Sequence, residues 1–135
     1  MVMQTVMAQT GYSNASLNGT YSVVWTSIGS QATSDIQGFY GGVGTLALNG
    51  TGSITGGTLN FYPENTTGQC AYSATGTYSL QSTALGTASL SLSSTTKGCP
   101  TPTTWQLALA AANAGSVIQM ARSDGAAASG SAVKQ

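Results

Sequence analysis

The sequence predicts an all-β fold, an antiparallel up-and-down meander of about eight strands closed into a barrel, with a two-sheet sandwich as the alternative. Three observations predict it. Apolar residues recur at every second position through most segments, the period of a strand with one buried face. Clusters of Gly, Asn and Ser interrupt these segments roughly every 8 to 12 residues. The only two cysteines, Cys70 and Cys99, flank a stretch whose midpoint, at Ala84 and Leu85, reads as a turn.

The chain divides into an apolar N-terminal segment, residues 1–15, and one β-domain, residues 16–135. MVMQTVMAQT carries no charge and holds three of the four methionines. Two readings compete for it. Val6 and Ala8 occupy the −3 and −1 positions of a signal-peptidase cut before Gln9, which would make it a leader remnant. As a mature strand it must instead pack on its own domain or on a neighbour, with Met3, Val6 and Met7 as buried anchors.

From Ser16 the β pattern is clear. SLNGTYSVVWT puts Tyr21, Val23 and Trp25 on one face. SIGSQATSDIQGFYGG reads as a polar, glycine-broken loop. In GVGTLALNGTGSITGGTLNFY, Leu46 and Leu48 alternate and Asn49-Gly50 marks a hairpin turn. The apolar phase then flips between Ile54 and Leu59, which predicts a β-bulge at Gly56-Gly57. Next comes the Cys70–Cys99 hairpin. Tyr72, Ala74, Tyr78 and Leu80 alternate on one arm, and Ala88, Leu90 and Leu92 on the other, so a disulfide can staple its open end. Trp105, Leu107 and Leu109 alternate, Asn113-Ala114-Gly115 can turn, and Ile118 and Met120 alternate on return; a short helix through the alanines is the alternative. The last stretch, AASGSAVKQ, reads as a weak strand with Val133 inward. A recurrent Gly-Thr step reads as hairpin punctuation.

Composition restricts function. Three acidic and three basic residues, 4% of the chain, balance to zero. Three cations cannot build a phosphate-binding surface, so no nucleic-acid partner is expected. No apolar run is long enough for a membrane-spanning helix. Near-zero charge also removes the repulsion that keeps soluble proteins apart, which suits a protein made to associate. Two cysteines in a small β-domain favour an oxidising, extracytoplasmic compartment.

Catalysis has little to draw on. There is no histidine, so neither a Ser-His-Asp triad nor a histidine metal site can be built, and no cofactor is expected. Asp35 and Glu64 read as solvated loop charges, and Asp124 beside Arg122 as a local surface pair. Sequons at Asn14, Asn18, Asn49 and Asn65 arise readily in so Ser/Thr-rich a chain. The leading expectation is a secreted structural protein, with no enzymatic role, whose partner is itself. It would form head-to-tail filaments at or outside the cell surface by β-strand addition of residues 1–10. The alternative is a monomeric barrel whose Tyr21, Trp25, Tyr72, Tyr78 and Trp105 line a pocket for a small apolar molecule or glycan.

The succession SLNGTYS, GTLALNGTGSITGGTLNF, ATGTYSL and GTASLSL, with a terminal GSAVKQ, resembles a group of secreted β-rich bacterial proteins of uncharacterised function. That resemblance implies secretion and a β-rich fold. More distantly, the Gly-Thr-aromatic starts are similar to those of avidin-like and lipocalin-like barrels. No ligand residue carries over, since the avidin family's tryptophan-rich binding wall has no counterpart in a chain whose only tryptophans are Trp25 and Trp105.

Overall fold

Eight strands form where the period-two pattern holds: β1 (Asn18–Ser27), β2 (Phe39–Asn49), β3 (Ser53–Pro63), β4 (Cys70–Leu80), β5 (Leu85–Ser94), β6 (Thr103–Ala112), β7 (Val117–Arg122) and β8 (Ala128–Lys134). The structure is a computed structural model describing residues 11–27, 39–63, 69–94, 99, 103–124 and 128–135. Each strand pairs antiparallel with the next. β8 then returns to β1, from Tyr21↔Lys134 to Ser27↔Ala128, and the sheet closes into a barrel instead of splitting in two. Closure satisfies the backbone groups that an open sheet leaves along its edges.

The buried face is the one that alternation marks. Tyr21, Val23 and Trp25 are inside on β1, Tyr72, Ala74, Tyr78 and Leu80 on β4, and Ala88, Leu90 and Leu92 on β5. The alanine-rich stretch is a strand through Ala112, and Asn113–Gly115 makes a tight 3-10 turn before β7. The expected bulge is present one residue earlier than its glycines suggest. Ala47 faces Gly56 while Leu48 faces Ile54, which leaves Thr55 as the extra residue. That slip carries Ile54, Leu59 and Phe61 onto one face.

Four details correct the sequence reading. β2 begins at Phe39, inside the expected loop, and Gly42 sits opposite Phe61 because a Cβ there would lie 2.6 Å from the Phe61 ring. Of the Gly-Thr steps, Gly50-Thr51 lies in the β2–β3 hairpin turn, but Gly44, Gly76 and Gly86 lie within strands. A Cβ at Gly44 or Gly76 would come within 1.9 and 2.0 Å of the facing carbonyls of Thr58 and Ser89, so these glycines mark close backbone approach. Val133 points outward, and Ala132 is the buried residue of β8. The cause is Trp25. Its ring lies where a Cβ on Gly130 would be, 2.1 Å away, so the inward side of β8 accepts only small residues. The fourth, at Arg122, belongs to the site below.

The two ends of the barrel differ. At one pole the turns are short, and the chain from Tyr12 to Leu17 lies across it, with Leu17 fully buried. The Tyr78 hydroxyl reaches the carbonyls of Asn14 (2.9 Å) and Leu17 (2.8 Å), and Leu80 N–H donates to Asn14 Oδ1 at 2.8 Å. The Tyr21 hydroxyl donates to the Gly115 carbonyl at 2.5 Å. Burial, with Tyr78 beside it, raises the Tyr21 pKa, so the donor stays protonated at ordinary pH. Tyr21→Phe strands a buried carbonyl and is expected to cost about 1–2 kcal/mol. Urea unfolding checks this, and an unmoved midpoint would contradict it.

Candidate functional site

The other pole is the barrel's mouth, where the longer connections between strands begin and end. Strand phase aims Trp25 (β1), Phe61 (β3), Tyr72 (β4), Trp105 (β6) and Arg122 (β7) into it. Trp105 is the hub. Its ring centroid lies 5.0 Å from that of Trp25 and 5.5 Å from that of Phe61, with Phe61 in turn 5.8 Å from Tyr72. Edge-on and tilted contacts at these separations are the favourable aromatic geometries. Cys70 and Cys99 are bonded at this pole, with Cα atoms 5.8 Å apart, so the expected staple of the β4–β5 hairpin is present.

Arg122 is not a surface residue. It continues the inward phase of Ile118 and Met120, and its side chain is only 4% exposed. The guanidinium carbon stands 4.4 Å from the Trp105 ring centroid, a cation–π distance. Arg122 Nε donates to Asp124 Oδ1 at 2.9 Å and Nη2 to Oδ2 at 2.8 Å. The same carboxylate accepts from Gln106 N–H at 3.0 Å, tying β6 to the turn after β7.

Partial burial pushes the Asp124 carboxyl up, but the Arg122 hydrogen bonds and charge and the Gln106 N–H outweigh it, so its pKa lies below the ordinary value. The sign follows from linkage: a depressed folded pKa contributes stability above the unfolded value, about 3.9, and that stability is lost as pH falls through the folded pKa. Acidification from about pH 4 to 2 should therefore cost wild type on the order of 1 kcal/mol that Asp124→Asn does not lose. Urea midpoints across that range test it, and parallel curves would contradict it.

Of the five aromatic residues proposed for a pocket, Tyr21 and Tyr78 together line one described cavity, and Trp25, Tyr72 and Trp105 do not line it. Tyr21 and Tyr78 also donate hydrogen bonds at the sealed pole, while in the mouth Trp25 packs on Trp105 and Phe61 joins Trp105 to Tyr72. The cavity that Tyr21 and Tyr78 line has a volume of about 20 Å3 and is also walled by side chains such as Leu46, Ile54, Leu107 and Met120. That is room for about one water molecule. Among the described residues one buried side-chain polar atom, Trp25 Nε1, has no hydrogen-bond partner.

The outside of the barrel is as regular as its core. β4 and β5 present two facing ranks of hydroxyls, pairing Ser73↔Ser93, Thr75↔Ser91, Thr77↔Ser89 and Ser79↔Thr87. Apart from Lys134, the exposed last residue of β8, no exposed strand position among the described residues carries a charge. The Lys134 side chain lies over Gly19, and the other described charges, Arg122 and Asp124, are at the mouth. Large exposed apolar side chains on the strands are Val24, Val43, Tyr62, Leu85 and Val133. Apolar inside and hydroxylic outside is the reverse of the pattern a lipid-facing barrel needs.

Met3, Val6, Met7, Asp35 and Glu64 lie outside the described residues. Among the described residues no group of three or more His, Cys, Asp or Glu could hold a metal ion, and no helix is long and apolar enough to cross a membrane. Sequence reasoning missed Arg122 and the exposed valines. The signal for Arg122 was available, since it shares the even phase of Ile118 and Met120. No family model, curated protein or solved structure matches the chain.

Proposed function

We propose that this is a secreted structural protein that assembles with copies of itself into filaments at or outside the cell surface. The observation that carries the reading is the wall: apart from Lys134, the last residue of β8, no exposed strand position among the described residues is charged. Proteins that must stay apart use charge, above all Lys and Glu on their strands, to prevent lateral association. This barrel replaces that protection with Ser and Thr. The disulfide fits an oxidising compartment, and the packed interior leaves the surface as the place where partners would act.

Residues 1–10, anchored by Met3, Val6 and Met7, are the connector in this reading. The segment joins the barrel at the sealed pole, so reaching a second copy gives a heterologous contact that propagates. A closed ladder offers it no sheet edge, so its anchoring falls to side chains. Deleting residues 1–10 should abolish assembly in sedimentation velocity and leave the melting temperature of the barrel within a few degrees of wild type. Polymers that persist after the deletion would remove the connector from the account.

The unpartnered Trp25 N–H at the mouth favours a second reading, a binding barrel that takes a hydrogen-bond acceptor such as a glycan hydroxyl there. It predicts a monodisperse monomer whose tryptophan fluorescence changes on titration with oligosaccharide.

A further inference from the structure

Four of the five large exposed apolar residues of the wall fall together; the fifth, Leu85, stands apart at the start of β5. Val24 and Val43 face each other directly across β1 and β2. Val133 pairs with Ser22 and with Val117, which makes it the diagonal neighbour of Val24. On the other side Val43 pairs with Asn60, so Tyr62 is the diagonal neighbour of Val43. Direct pairs bring Cβ atoms to about 5 Å and diagonal pairs to about 7–8 Å, near enough for side chains to touch. Val117, Val133, Val24, Val43 and Tyr62 therefore make one oblique stripe across five strands. Val24, Val43, Tyr62 and Val133 are 56%, 44%, 47% and 53% exposed, on a wall otherwise dominated by small and hydroxyl side chains.

We propose that this stripe is the docking surface for residues 1–10 of a neighbouring copy. The inference rests on the self-assembly reading above and names its acceptor. Length is sufficient: the stripe crosses four strand spacings and climbs about four residues, roughly 24 Å, and ten extended residues reach about 33 Å. Chemistry matches as well. The segment is uncharged, and the unbranched thioether side chains of Met3 and Met7 can adapt to a ridge of β-branched residues and a tyrosine ring. Position points to a neighbour. The chain enters the barrel beside β4, where Asn14 holds Leu80 N–H, and β4 lies opposite β8 in an eight-strand ring. Because side chains make the contact, ring closure is no obstacle.

The test uses full-length protein carrying Val24→Lys and Val43→Lys. Both sites are exposed, so the barrel should fold with an unchanged circular dichroism spectrum, while assembly falls at least tenfold. Separately, a synthetic peptide of residues 1–10 is titrated into 15N-labelled protein lacking those residues. Amide shifts should map to Val24, Val43, Tyr62 and Val133. If the lysine variant assembles like wild type while the deletion does not, the connector stands and the stripe is overturned as its acceptor. Peptide shifts confined to other residues overturn it as well. So do stripe shifts already present in dilute, monomeric full-length protein, which would place the segment on its own barrel. Assembly of the deletion variant removes the connector and this inference with it, whereas wild-type protein that stays monomeric at every concentration overturns the self-assembly reading itself.

Discussion

Replacing Trp105 by alanine is expected to destabilise the barrel by about 3–5 kcal/mol, a large part of the stability of a domain this size. Trp105 is 1% exposed and touches partners from three other strands: Trp25 on β1, Phe61 on β3 and Arg122 on β7. Truncation leaves a cavity that those rings cannot close, because each is held by its own strand. It also strips the guanidinium of the aromatic face that covers it in a poorly solvated place. Trp105→Phe should recover part of the loss by refilling most of the volume. Denaturant unfolding of the two variants measures both effects. A loss below about 1.5 kcal/mol for alanine would mean that the mouth is loosely packed.

The second large effect belongs to the Cys70–Cys99 bridge. It closes a loop of sequence separation 29, for which the chain-entropy model gives about 3–4 kcal/mol. Cys70→Ala with Cys99→Ala should lower the melting temperature by roughly 10–15 °C while the native spectrum at 25 °C is unchanged, since the bridge acts mainly on the unfolded chain. Calorimetry of the double variant, and of wild type with a reductant, checks this. Equal melting temperatures with and without the bridge would contradict it. The two predictions concern one end of the barrel, so the mouth is where the fold is most heavily reinforced.

Much of this architecture is written in the alternation. Each strand's inward face follows from period two, and even the bulge in β3 is announced by the phase flip between Ile54 and Leu59. The errors have physical causes. Glycines in FYGG and in the Gly-Thr steps at Gly44, Gly76 and Gly86 suggested loops and turns, but within a barrel they mark places where a facing carbonyl or ring comes too close for a Cβ. Val133 looked like the core residue of β8 because it is the larger side chain, yet the bulk of Trp25 on the neighbouring strand reserves the inward positions for Gly130 and Ala132. A charge in an apolar phase is easily assigned to the surface, and Arg122 was, although the Trp105 face and the Asp124 carboxylate make an inward place for it. The stripe had no sequence signature at all. Val24, Val43, Tyr62 and Val133 lie on four strands, and only the register brings them into line.

The central claim, that copies of this barrel assemble through a nearly uncharged wall and an apolar connector, is tested most directly by negative-stain electron microscopy of the native full-length protein. The account predicts filaments or ordered arrays with a repeat close to the size of one barrel. A field of separate, monodisperse particles at the same concentration would contradict it.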